Sequence, residues 1–206
     1  VVPDVVLGTF SFAKYLMWKD LVDRADLLKQ SPVVRHLIER EGNAIRLSEA
    51  FPRAEDLDVT VDPVDLFTPL PADSSQLAAV VASARGHNFV LDGPPGTGKS
   101  QTIANMIAHN MALGRRVLFV AEKMAALDVV QRRLAEKGLG DFCLELHSAK
   151  ATKSDVIKHL DRAWTTRETM SADEWRRDAT EAKRLRDGLN AIVALLHRRE
   201  TNGLTL

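Results

Sequence analysis

Residues Leu91–Ile103 read LDGPPGTGKSQTI. Within them Gly93, Gly98, Lys99 and Ser100 stand at the spacing G-x-x-x-x-G-K-[ST], the pattern of a loop that cradles phosphate. The residue types explain why. Gly93, Gly96 and Gly98 let backbone N–H groups turn inward with no Cβ in the way. Those N–H groups and the positive end of a following helix make a concavity for phosphate oxygens. Pro94, Pro95 and Thr97 stiffen the loop. Lys99 would neutralise charge on the β- and γ-phosphates, and the Ser100 hydroxyl would ligate Mg²⁺. Gln101, the next residue, is grouped with the nucleotide contacts.

Such a loop needs a strand before it and a helix after it. HNFVLDG, from His87, reads as a short apolar strand, and Lys99–Leu113 as a helix closed by Gly114. RRVLFVAE, Arg115–Glu122, reads as a second strand. A helix over Met124–Lys137, closed by Gly138, leads to a third strand in DFCLELHS, Asp141–Ser148. Upstream, Asp73-Ser74-Ser75 can cap a helix over Gln76–Ala84 that ends at Arg85-Gly86. Strand and helix alternating in this way predict a parallel α/β sheet.

The flanks read differently. Val5–Phe12 is an expected strand, and Ala13–Leu28 carries Leu16, Leu21, Leu27 and Leu28 on a helical stripe. Ser31-Pro32 opens a further helix in VVRHLIER. Phe51–Pro71 is acidic, carries Pro52, Pro63 and Pro71, and reads as a linker or extended arm. From Thr152 the text is helical, and Ala182, Leu185, Leu189, Ile192 and Leu196 form a heptad-like seam. The expected organisation is a helical and extended preamble over 1–70, a phosphate-loop core over 71–165 and a helical arm over 166–206.

The composition sets bounds. With 206 residues, 45% hydrophobic and 27% charged, the chain has the make-up of a soluble globular protein. Lys+Arg and Asp+Glu both number 28. That balance argues against a wholly basic nucleic-acid coat but leaves a local basic groove open. Cys143 is the single cysteine, which excludes an intrachain disulfide and fits a reducing cytoplasm. No apolar run is long enough to span a membrane, and no leader pattern opens the chain. The first residues, VVPDVVLG, read as the middle of something, so a piece of a longer protein is expected.

The stretch LPADSSQLAAVVASARGHNFVLDGPPGTGKSQTIANMIAHNMALGRRVLFVAEKMAALDVVQRRLAEKGLGDFCLELHS resembles the first RecA-like lobe of superfamily 1 helicases, in particular the Upf1-like bacterial ATPases of large DUF4011-type proteins. The resemblance is dense from Pro71 to about Lys153 and looser over VVLGTFSFAKYLMWKDL. It implies an incomplete P-loop NTPase sheet with a helical insertion at the C-terminal end. It implies ATP and Mg²⁺ as cofactors, and DNA or RNA as the partner of the parent protein. It implies that Gln76 reads the adenine edge. It places nucleic-acid backbone contacts in AEKMAALD, at Lys123, and further on at His147, Ser148, Lys150 and Lys153.

Each of those has a plainer reading. On its own Gln76 is a surface residue at a helix start. Glu122 and Lys123 read equally as solvated residues after a strand, His147 as a capping or core histidine, and Lys150 and Lys153 as an exposed helix start. Cys143 reads as packing, with no base beside it to make it a nucleophile. His87 reads as structural, and Trp18, Trp164 and Trp175 as core packing rather than base-stacking platforms.

The chain also departs from the resemblance. No apolar strand ending in Asp-Glu follows Ser148, and Asp173-Glu174-Trp175 sits in polar helical text. The expected behaviour is therefore ATP binding with little hydrolysis, and self-association through the C-terminal helix or an open strand edge. Two rival readings stand beside it. One is an AAA+-type ATPase acting on protein, which also uses GPPGTGKS. The other is a non-catalytic nucleotide-binding interaction module.

Overall fold

The computed structural model describes residues 12–39, 50–94, 96–146, 153–167 and 170–198. The chain divides into two compact units, Val1–Ser48 and Glu49–Leu206.

In the first unit, α1 (Phe12–Asp23), α2 (Ala25–Leu28) and α3 (Pro32–Glu39) follow one another closely. Pro32 takes the first helical position of α3, where its missing N–H costs nothing. Leu16, Leu21 and Leu27 are all exposed. Phe12, expected at the end of a strand, opens α1 instead. Residues 1–11, which hold the rest of that expected strand, lie outside the described residues.

The second unit is built around α5 (Ser74–Ala84). Ala78, Ala79, Val80, Val81 and Ala82 are consecutive and all buried. Five buried positions in a row cover every face of a helix, so α5 is enclosed. One side meets Leu57, Val61 and Leu66. The other meets α6 (Lys99–Ala112), and small residues such as Ala79 and Ala104 let the two backbones approach. Beyond α6 lies α7 (Met124–Ala135), packed through Val130 and Leu134 onto Ala104, Ile107 and Ala108. Gly114 and Gly138, both at positive φ, end these two helices as their positions predict.

Residues 51–71, expected as a linker or extended arm, fold into short turns and a helix. They form a 3-10 turn at Ala54–Asp56, the short helix α4 (Leu57–Thr60) and a second turn at Pro63–Asp65. Leu57 and Leu70 are buried. Prolines and acids open short turns, and the leucines between them supply the apolar anchors that text rich in turn residues conceals.

The three expected strands are not found among the described residues. Among the described residues none pairs into a strand, so the parallel sheet is not shown. Asp141 and Phe142, expected to begin the third strand, belong to a 3-10 turn at Gly140–Phe142, where Gly140 lies against the Ala135 backbone. Val90, Leu118, Val120 and Leu146 are exposed. A strand apolar along its length needs pairing partners on its edges to be stable, and among the described residues no strand pairs with these segments.

At the C-terminal end, α8 (Lys153–Thr165) precedes α9 (Ala172–Leu196). Ser171 and Glu174 form a reciprocal capping box at the start of α9. One face of α9 docks on residues 58–67. Trp175 stacks on Phe67 with centroids 5.3 Å apart, and its Nε1–H donates to the Val64 carbonyl at 2.9 Å. Lys183 pairs with Asp62, Arg186 donates to the Val61 carbonyl and Asn190 to Asp58. Trp175 therefore packs as expected, whereas Trp18 and Trp164 are exposed. No described helix is long and apolar enough to cross a membrane.

Candidate functional site

The glycine loop and the first turn of α6 form the site. Gly98 is the N-cap of α6, in the left-handed region at φ 79°, and no side chain caps that helix end. The N–H groups of Lys99 and Ser100 have no carbonyl four residues back within a helix, so they point out of its N-terminus. Thr97 turns its hydroxyl inward to donate to the Pro94 carbonyl at 2.8 Å. A Cβ on Gly93 would come within 2.7 Å of that same Thr97 oxygen, so a side chain there would force the hydroxyl out of its place in the loop. Lys99 curls back, and its ammonium donates to the carbonyls of Gly93 and Pro94. Ser100 is half-buried at the second helical position. Pro95 lies outside the described residues.

Gln76 comes to the same place from α5. Its Nε2 donates to the Thr97 carbonyl at 3.0 Å, and its Oε1 accepts from the Asp73 N–H at 3.2 Å. Asp73 in turn accepts from the Gln76 N–H at 2.8 Å, which completes a capping box. The Ser75 hydroxyl and then the Gln76 N–H hold the Asp73 carboxyl below its ordinary pKa.

Gln101 turns elsewhere. Its side-chain amide donates to the Pro71 carbonyl, one helix turn before the next polar residue on that face. Asn105, fully buried, reads both backbone groups of Leu70, accepting from its N–H at 3.0 Å and donating to its carbonyl at 2.9 Å. His109 accepts from the Phe67 N–H through Nδ1 at 3.3 Å. Gln101, Asn105 and His109 thus form a ladder, four residues apart, that grips the backbone of 67–71. Burial first, and then the charge of Arg115, lower the His109 pKa. That favours the neutral imidazole, the form that can accept. The four-residue spacing of Gln101, Asn105 and His109 on α6 was the available signal for this ladder.

Of the remaining expected residues, those that the structure describes make no hydrogen bond to the loop. Glu122 and Lys123 are exposed at the start of α7, and no hydrogen bond or ion pair among the described residues ties Lys123 to the glycine loop. Lys153 is exposed at the start of α8. His147, Ser148 and Lys150 lie outside the described residues. Cys143 is half-buried, its thiol donating to the Leu139 carbonyl at 3.3 Å, and burial raises its pKa, as packing requires. Asp173 pairs with Arg176, and Glu174 closes the α9 cap.

A family model described as an AAA domain matches residues 71–201. An uncharacterized ATP-dependent helicase of Mycoplasma genitalium is 51% identical over 47 residues, 23% of this chain and 4% of that protein. A homologue of it from Mycoplasma pneumoniae is 53% identical over 55 residues, 26% of this chain and 5% of that protein. These matches therefore span about a twentieth of the relatives' length. No solved structure matches the chain.

Proposed function

The chain belongs to the AAA domain family over residues 71–201, and on that premise we propose that it is the ATP-binding part of a helicase-like motor. The observation that carries the reading is the uncapped N-terminus of α6 behind a glycine-built loop. Unpaired N–H groups beside a lysine ammonium are what a polyphosphate requires. The Lys99 ammonium rests on two backbone carbonyls, weak partners that a phosphate would displace by charge. The names of the mycoplasma relatives support ATP as the nucleotide and a motor acting on nucleic acid.

The finer assignments follow from the same premise. The core is a RecA-like lobe of the superfamily 1 type, with a parallel sheet. The parent protein moves on DNA or RNA, and Lys123, His147, Ser148 and Lys150 touch the nucleic-acid backbone. Ser100 fits Mg²⁺, a hydroxyl donor set beside the phosphate cradle, and the ion bound there would neutralise phosphate charge. Lys99 and Ser100 carry what catalytic role this chain has. A single cysteine fits work in the cytoplasm.

Binding and turnover come apart in this chain. Hydrolysis needs an acidic pair to orient water, and Asp173 and Glu174 are engaged at a helix start. An arginine supplied from outside is itself worth about 10³–10⁵ in rate. ADP at about 100 times its dissociation constant is expected to stabilise the fold by about 2.7 kcal/mol. A thermal-shift titration reads this, and Lys99→Ala removes it. No shift at saturating nucleotide in the wild type sinks the proposal. Steady-state hydrolysis in the range of about 1–100 per second, typical of kinases, sinks its second half.

A further inference from the structure

Resting on the nucleotide-site reading above, we infer that Gln76 sets the shape of the phosphate loop, so that its role does not end at the base. Its Nε2 holds the Thr97 carbonyl at 3.0 Å, immediately before the left-handed Gly98 that starts α6. A Cβ on Gly98 would lie 2.7 Å from that same nitrogen. The amide therefore packs directly against the residue whose conformation aims the first N–H groups of α6. Its other end is fixed as well, since Oε1 accepts from the Asp73 N–H at 3.2 Å. Held at both ends, the amide couples the start of α5 to the last turn of the loop.

The amide keeps hydrogen-bonding capacity for an adenine edge. A primary amide carries two N–H donors and two acceptor lone pairs. One donor is spent on Thr97 and one lone pair on Asp73. One of each remains, the complement an adenine edge needs. Gln76 is thus a positioning residue for phosphate and a reader of the base through one planar group. Seating the base tightens the amide against the loop, and ordering the loop by phosphate fixes the amide for the base.

The two roles separate with a ligand that has no base. Inorganic tripolyphosphate with Mg²⁺ is titrated calorimetrically against the full 206-residue chain, and ATP and GTP alongside it. Gln76→Ala is expected to weaken tripolyphosphate about threefold to tenfold, the loss of one neutral hydrogen bond. A base-reading role alone predicts no change for tripolyphosphate and a lost preference for ATP over GTP, and that result overturns the inference while leaving the phosphate site standing. Because Gln76→Ala also opens the α5 capping box, Asp73→Ala is the control. It loosens the same helix end but leaves the bond to Thr97, and it should keep wild-type tripolyphosphate affinity. Equal losses in both variants overturn the inference in favour of a general loosening of α5. A wild-type chain that binds neither ATP nor tripolyphosphate overturns the site reading itself, and the inference with it.

Discussion

Gly98 carries three demands at one position. It starts α6, it sits at φ 79°, and it has the Gln76 amide where a side chain would go. The last two exclude alanine, each for its own reason. The left-handed conformation costs an L-residue about 1–2 kcal/mol, and the methyl would push Gln76 off Thr97. Gly98→Ala should therefore destabilise the fold by about 1–2 kcal/mol and also weaken nucleotide more than that strain explains. Gly96, at φ 89°, is as left-handed but has open space where its Cβ would be. Gly96→Ala should show a similar loss of stability with less effect on binding. Urea melts and ADP titrations of the two variants check the contrast. Equal losses of affinity would mean that backbone strain alone, and not contact with Gln76, governs the loop.

At the scale of elements, the ladder on α6 holds the segment that leads into α5. Asn105→Ala would leave the Leu70 N–H and carbonyl buried without partners, at about 1–3 kcal/mol for each group. Asn105→Asp, similar in size, would still accept from the N–H but set a carboxylate against the carbonyl, so it should also destabilise. Urea midpoints that stay at the wild-type value would show the ladder to be dispensable. His109 adds a pH dependence to the same ladder. Its folded pKa is depressed by burial and Arg115, so below about 6.5, the ordinary histidine value, the unfolded chain takes up a proton that the folded chain resists. Stability is then complete above that pH and falls as pH drops through the window down to the folded pKa. The depressed carboxylates Asp62, Asp73 and Glu174 act lower, from the ordinary carboxylate range of about 4 downward. The urea midpoint should drop between about pH 7.5 and about 5.5, and His109→Gln should flatten that drop. An unchanged slope in the variant would assign it to another group.

These elements show what could be read in advance. The helix before the loop was legible because its cap is local: Asp73 lies next to the turn it closes. The loop was legible because glycine spacing encodes backbone shape. The ladder was not, since Asn105 looks like any polar residue until Leu70 is known to lie against it. Residues 51–71 were misread because short turns between buried leucines have no period. The strands were expected from apolar runs and from the context of the loop, and an apolar run states a need for neighbours without supplying them.

For the molecule as a whole, α9 has two faces with different fates. Trp175, Ala179, Lys183, Arg186 and Asn190 lie on the face that docks on residues 58–67. Leu185, Leu189, Ile192 and Leu196 lie roughly a third of a turn away. Their exposures are 54%, 65%, 55% and 48%, although a soluble helix normally covers such a row. Val90, Leu118 and Val120 add apolar surface at 92%, 85% and 76% exposed. Covering one leucine contributes about 1.5–3 kcal/mol, so a partner on the α9 row gains several such terms at once. The docked face fixes the helix, which lowers the ordering cost of a second contact. The isolated chain should therefore self-associate at protein concentrations in the micromolar to millimolar range. Leu189→Glu places a charge in the middle of the row and should lower the mass seen by light scattering. If the mass falls to that of one chain, α9 carries the contact. If Leu189→Glu stays associated, the apolar segments around Val90 and Leu118 carry it, and a polar substitution at Leu118 becomes the deciding variant. A wild-type chain that scatters as a clean monomer throughout that range would mean that the row is covered within its own molecule, and the prediction fails.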